Sequence, residues 1–190
     1  MKIILASGSP RRVELLKQFH MDFEAVPSTF EEHHEKMDAP AVTVMGLAFS
    51  KAFNVAQKYP DALIIASDTI VYENGILGKP VNRQEAESML RALSGKDHAV
   101  YTGVALIRLS TDQKIVDYAS TKVVFNALSE ERIQRYLDTG EAFDKAGAYG
   151  IQGYGSVLVD HIEGDFFNVM GLPLSKLDFL LRAHFGFGLL

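Results

Sequence analysis

Cysteine is absent from this 190-residue chain. That excludes a disulfide framework, a thiolate nucleophile and a cysteine-based zinc site. Positive charge is scarce as well: 19 Lys and Arg stand against 24 Asp and Glu, a formal charge of -5. A protein that grips a nucleic-acid backbone normally carries a basic patch and a high pI, so no nucleic-acid partner is expected. No apolar run is long enough to span a bilayer. The opening Met1-Lys2-Ile3-Ile4-Leu5-Ala6 is too short for the apolar stretch of a signal peptide. The expectation is a cytoplasmic protein with no membrane partner. The Walker pattern GxxxxGK[ST] is missing, which disfavours a P-loop motor, and so is the G-x-S-x-G elbow. Repeats, low-complexity tracts and linkers are missing too. Residues 1–190 should therefore form one compact domain, with one sizeable core or two lobes sharing a sheet.

What is present is organised around residues 2–16. A short apolar run reads as a buried strand, Ser7-Gly8-Ser9 turns the chain, and Pro10 opens an amphipathic helix carrying Val13, Leu15, Leu16 and Phe19. Ser9 suits the N-cap and Pro10 suits N1, where a missing N–H costs nothing. Strand, small-residue loop and helix N-terminus together make an anion site. Arg11 and Arg12 then stand at the end of a helix that prefers Asp or Glu. A multiply charged anion would complete them. The alternative is that both are surface residues reaching acidic neighbours.

Further along, 23–27 reads as a strand and 31–36 as a polar acidic loop whose adjacent His33 and His34 lack the spacing of a helical metal pair. Pro40 starts a helix that Pro60 terminates, with an apolar stripe of Val44, Leu47, Ala48, Ala52, Val55 and Ala56. Lys51 interrupts that inward face, so it either snorkels outward or points into an anionic pocket. In the second case, replacing it by Met should raise stability, since a buried cation beside Arg12 is costly without its ligand. Residues 62–67 form the clearest strand, with Asp68-Thr69 at its carboxyl end, where open α/β sheets bind ligands. An Asp there can also simply cap a turn. A second short strand, 70–72, reverses at Glu73-Asn74-Gly75 and leads to Leu77-Gly78-Lys79-Pro80. Asn82 caps a helix to Leu93, with Glu85 at N3 and Gly95 past its end. Strands at 99–109 and 115–125 follow, then a helix capped by Ser129 and stopped by Gly140. Residues 143–153 fit neither helix nor strand, and their glycines permit a close approach to a ligand or a tight bend. A hairpin is expected from 156–162 and 166–170, then a last helix opened by Pro173 with Leu174, Leu177, Leu180 and Leu181 inward, and a frayed tail from Gly186.

Arginines at a helix N-terminus, two lysines in unusual places and acids after a central strand form one set suited to phosphate chemistry. Cations bind phosphates, and carboxylates hold a divalent metal or activate water.

The motifs Leu5-Ala6-Ser7-Gly8-Ser9-Pro10-Arg11-Arg12, Ser67-Asp68-Thr69, Gly78-Lys79-Pro80, Leu93-Ser94-Gly95, 144–153 and Gly171-Leu172-Pro173-Leu174 stand in order along the whole chain. Together they resemble the Maf family. That resemblance implies an α/β fold of two lobes about an elongated mixed sheet with flanking helices, similar to the inosine-triphosphate pyrophosphatases, with the active site in the central cleft. It implies hydrolysis of nucleoside triphosphates to monophosphate and pyrophosphate with Mg²⁺ or Mn²⁺. Carried over by motif, Asp68 is the catalytic carboxylate, and Asp68 with Glu32 holds the metal. Ser7, Arg12, Lys51 and Lys79 line the phosphates. Arg11, Thr69 and Gln152 match the branch that prefers dTTP and UTP, whereas the 7-methyl-GTP branch has a glutamate in place of Gln152. A carboxamide both donates and accepts, which suits the O4 and N3–H edge of uracil or thymine.

The expected function is thus a pyrophosphatase for dTTP, UTP and modified pyrimidine triphosphates, with CTP as a weaker substrate, that keeps modified nucleotides out of nucleic acid. The reading allows a homodimer. A nucleotidyltransferase shares the opening strand, Gly/Ser loop and Arg, but needs a longer acceptor half. A non-catalytic nucleotide sensor in division control would use the phosphate groups without Asp68.

Overall fold

The computed structural model describes residues 1–30 and 39–190. The loop expected at 31–36, with Glu32 and the paired histidines, lies outside the described residues. The chain runs β1 (Ile3–Leu5), α1 (Pro10–Lys17), β2 (Glu24–Ala25), α2 (Pro40–Ala56), β3 (Leu63–Tyr72), β4 (Ile76–Leu77) and α3 (Arg83–Leu93). It continues through β5 (Asp97–Arg108), β6 (Gln113–Phe125), α4 (Glu130–Asp138), β7 (Val159–Glu163), α5 (Phe166–Met170) and α6 (Leu174–Phe185). The strands pair in the order β2-β1-β3-β5-β6-β7, with β4 on β3. Parallel β1–β2 and β1–β3 pairs with antiparallel β3–β4 and β6–β7 pairs make the sheet mixed. The fold is the α/β class expected. Among the described residues no helix is long and apolar enough to cross a membrane.

Two compact units divide the chain. The first comprises Met1–Asp68, Thr102–Ala119 and Gly171–Leu190. Its strands alternate, as the pleat requires: Ile4 and Ala6 of the first segment and Ile64 and Ala66 of β3 face Ala48, Ala52, Val55 and Ala56 of α2. The apolar stripe read from the sequence is buried throughout. Alanines in the stripe let α2 lie close, and closest at Gly103 of β5, where an added Cβ would collide with the Val44 carbonyl. The C-terminal tail is docked rather than frayed. The Leu189 N–H donates to Asp178 Oδ1 at 2.7 Å and its side chain is buried, so an apolar residue and a helix carboxylate hold what composition alone left loose.

The second unit comprises Thr69–Tyr101 and Ser120–Met170. Its core joins Ala86, Leu90 and Leu93 of α3 to Ile133 and Leu137 of α4, over Val100, Val123 and Phe125. Asn82 caps α3 as read, accepting from Glu85 N–H at 2.9 Å. Glu85 reaches back one residue further than a capping box, to Val81 N–H at 2.7 Å. Ser129 caps α4 by accepting from Arg132 N–H at 3.2 Å. The hairpin expected from 156–162 and 166–170 does not form. Strand β7 pairs with β6 instead, and 166–170 is the helix α5. The reason is Asp165, whose carboxylate accepts from Phe167 N–H at 2.8 Å and caps the turn that begins α5. A largely apolar five-residue run, here Phe-Phe-Asn-Val-Met, cannot be assigned by periodicity alone.

Candidate functional site

In the first unit, α1 starts as the sequence reads, with Ser9 extended at the N-cap and Pro10 in the first turn. Ser9 makes no side-chain cap, however. The hydroxyl of buried Ser7 takes the local role, accepting from Ser9 N–H at 3.1 Å and closing the small-residue loop. No acid stands in the first turn, only Arg11 and Arg12, both partly buried. Arg12 Nε donates to the Gly171 carbonyl at 2.8 Å. The same carbonyl accepts from Ser67 Oγ, fully buried in β3, at 2.9 Å. Gly171 has φ of 102°, a conformation that glycine reaches without strain. It thus aims one carbonyl at two donors and orients the guanidinium. The sequence marked Gly171 within a motif without assigning it this part, and its lone visible signal was Gly-Leu-Pro before a helix.

Asp68 lies inside β3, not at the end of a strand. Residues expected as two strands, 62–67 and 70–72, form the single ten-residue β3, which runs straight through Asp68 and Thr69. The parallel partner β1 pairs only as far as Ile65, so Asp68 falls three residues beyond the end of that pairing. The parallel portion ends where expected even though the strand does not. Alternation puts Asp68 on the face of Ile64 and Ala66, toward α2, and Ser67 on the other. There Lys51 of α2 forms an ion pair with Asp68 Oδ1. Their side chains are 16% and 9% exposed, which makes this a nearly buried charge pair. Lys51 therefore neither snorkels outward nor stands as an isolated cation. The expected stability gain from Lys51→Met is withdrawn, because the substitution would strand a buried carboxylate.

In the second unit, Thr69 is half-buried in β3, while Lys79 and Gln152 are exposed on separate loops. Those loops are tied by the backbone: Gly147 N–H donates to the Gly78 carbonyl at 3.0 Å. The 143–153 stretch is a run of short 3₁₀ turns, Glu141–Asp144, Ala146–Ala148 and Gly153–Val157, neither α-helix nor strand, as read. Lys145 points inward, donating to the Glu141 carbonyl and to Asp144 Oδ1, both at 2.6 Å. Tyr149 is buried, its hydroxyl 2.7 Å from Nε2 of buried His98, with Phe125 packed edge-on against both rings. Burial lowers the His98 pKa to about 4, with Asp97 pulling weakly the other way. Burial also pushes the pKa of the Tyr149 hydroxyl up, so it stays protonated. Nothing in the local sequence signals this pairing of residues 51 positions apart.

Among the described residues no group of three or more His, Asp or Glu is placed to cage a metal ion. The donor that is present, one Asp68 carboxylate, suits a different arrangement. Mg²⁺ keeps most of its water and commonly takes one or two carboxylates together with substrate phosphates. The site thus fits an ion that arrives with a polyphosphate.

The chain is similar to known proteins along nearly its whole length. A family model described as Maf-like protein matches residues 2–184. The dTTP/UTP pyrophosphatase of Clostridioides difficile is 47% identical over 190 residues, covering 100% of this chain and 98% of the relative. That of Caldanaerobacter subterraneus subsp. tengcongensis is 52% identical over 188 residues, covering 98% and 90%. That of Bacillus anthracis is 51% identical over 177 residues, covering 93% and 92%. A match that passes through the Arg12 turn, the Lys51–Asp68 pair and the glycine-rich loop, at such identity and almost from end to end, places the chain in the Maf family.

Proposed function

We propose that this protein hydrolyses dTTP and UTP to the monophosphate and pyrophosphate, with CTP and modified pyrimidine triphosphates as further substrates. The observation that carries the reading is end-to-end identity of 47–52% to relatives bearing that enzyme name. Family membership through both units supports treating 1–190 as one Maf-like domain. The removal of modified nucleotides before polymerases use them is the cellular role this activity serves.

Asp68 is the catalytic carboxylate in this reading. The Lys51–Asp68 pair supports it: two charges kept nearly dry between α2 and a central strand are costly to maintain for structure alone. When polyphosphate enters, Lys51 gains an alternative anionic partner, and Asp68 gains the freedom to orient the attacking water. Arg12, with Nε fixed on the Gly171 carbonyl, presents a planar fork of donors suited to phosphate oxygens. Ser7 and Lys79 complete the proposed phosphate contacts, and Arg11, Thr69 and Gln152 the base contacts, on the strength of the motif resemblance. Asp68, with Glu32, would hold the Mg²⁺ or Mn²⁺, which neutralises phosphate charge as the anhydride breaks.

The test is product identification from purified protein, UTP and Mg²⁺, with and without a sugar phosphate. UMP and pyrophosphate in the absence of acceptor support the proposal. A UDP-sugar formed only with acceptor indicates a nucleotidyltransferase, and binding without turnover indicates a sensor; either refutes it.

A further inference from the structure

The glycine-rich segment is shaped around a carboxylate of its own chain. Glu141 Oε1 accepts from Gly155 N–H at 3.0 Å and from the Tyr136 hydroxyl at 3.1 Å. Its Oε2 accepts from Tyr154 N–H at 2.9 Å. The Tyr136 hydroxyl in turn accepts from Gly150 N–H at 3.2 Å. Backbone on both sides of Gln152 is therefore tied to one anion, directly at 154–155 and through Tyr136 at 150. The glycines fit this arrangement. A Cβ at Gly153 would run into the Glu141 carboxylate, one at Gly155 would collide with the Gly150 carbonyl and lie 3.1 Å from Glu141 Oε1, and one at Gly150 would lie 2.8 Å from Lys145 Cε and 3.3 Å from Glu141 Oε1. Burial, and after it the Glu141 charge, hold the Tyr136 hydroxyl above its usual ionisation range, so it stays a donor. The glycine spacing thus serves an internal brace, whereas the sequence alone left ligand approach and a tight bend as the choices.

We infer that Glu141 is a positioning residue for base selection: together with Tyr136 it sets the backbone from which Gln152 meets the nucleobase. This rests on the reading of Gln152 as a base contact. A carboxylate is required because both of its oxygens accept from backbone N–H groups. A glutamine in either amide orientation would set an NH₂ against one of those donors. Charge-assisted bonds of this kind are also stronger than neutral ones. Hydrogen-bonded selection is sensitive to small misplacements, because a mismatched edge leaves buried polar groups unpaired.

The experiment compares kcat/KM for UTP and GTP, with Mg²⁺, in wild type, Glu141→Gln, Tyr136→Phe, Gln152→Ala and the Glu141→Gln/Gln152→Ala double variant. Folding of each is checked by thermal unfolding. The inference predicts that Glu141→Gln lowers the UTP-to-GTP ratio about tenfold, the scale of one lost charge-assisted bond. It predicts that Tyr136→Phe lowers the ratio too, and that Glu141→Gln adds little once Gln152 is gone. If Gln152→Ala shifts the ratio but Glu141→Gln and Tyr136→Phe do not, Glu141 is only a structural brace and the inference is overturned. An additive effect in the double variant overturns it equally. If Gln152→Ala leaves the ratio unmoved, the reading of Gln152 itself fails. Should Glu141→Gln not fold, Tyr136→Phe, which deletes one hydroxyl, decides between these results.

Discussion

Removing the charge of Lys51 while keeping its length, as in Lys51→Met, leaves Asp68 nearly buried beside a thioether. Breaking a buried pair by deleting one partner typically costs 3–5 kcal/mol, because the surviving charge keeps its desolvation penalty without its compensation. The lysine here retains some access to water, at 16% exposure against 9% for the aspartate, so the lower end applies, about 3 kcal/mol. For a chain of this size each kcal/mol moves Tm by about 2–4 °C, so the variant should melt about 6–12 °C below wild type. Asp68→Asn should cost less, since its amide oxygen can still accept from Lys51. The double variant Lys51→Met/Asp68→Asn should recover much of the loss, because it buries no unpaired charge, and the coupling measures the pair. Turnover should separate from stability across this series. Each single variant and the double should lose about 10²–10⁴ in kcat, the usual worth of a positioned acid or base. Calorimetry and UTP hydrolysis on the four proteins read both effects. A Lys51→Met protein that melts at or above wild type would refute the reasoning. It would mean that the lysine is a strained, ligand-seeking cation and the aspartate needs no partner.

Two further outcomes follow from the second unit. His98 is neutral in the fold, with a pKa of about 4 against 6.5 in the unfolded chain, so its contribution is complete above pH 6.5 and is lost as pH falls. The cost should reach about 2 kcal/mol at pH 5, seen as a lower urea midpoint in wild type that His98→Gln largely abolishes; parallel pH profiles for the two proteins would discount it. Gln152→Glu, at an exposed position, should leave Tm unchanged while cutting kcat/KM for UTP and dTTP at least tenfold, the loss expected when a required donor becomes an acceptor. Unchanged kinetics in that variant would remove Gln152 from the base contacts.

Local patterns carried most of the fold. The period of Val44, Leu47, Ala48, Ala52, Val55 and Ala56 sufficed for α2 because every one of those residues is buried. Asn82 and Ser129 cap helices through bonds spanning three residues, a distance over which sequence is informative. One misreading arose where distant partners decided the outcome, the other where a neighbouring cap did. Polar Asp68 and Thr69 suggest a break, yet β3 continues through them, because sheet pairing overrides the turn preference of Asp. Residues 166–170 have strand-like composition and become helical under the Asp165 cap. The site shows the same division. The placement of Arg11 and Arg12 at a helix start and of Lys51 on an inward face was legible from spacing alone. That Lys51 would meet Asp68, that Gly171 would aim its carbonyl at Arg12 and Ser67, and that Glu141 would organise the glycines are contacts across 17, 104 or more, and 13–14 positions. No periodicity encodes them.

The central claim is pyrimidine-selective cleavage that leaves a monophosphate, and it is tested most directly by kcat/KM of wild-type protein on dTTP, UTP, CTP, GTP and 7-methyl-GTP, with products identified. The account predicts dTTP and UTP as the best substrates, CTP weaker, both purines poor, and monophosphate with pyrophosphate as the products. Equal rates on purine and pyrimidine triphosphates, or release of single phosphates, would contradict it.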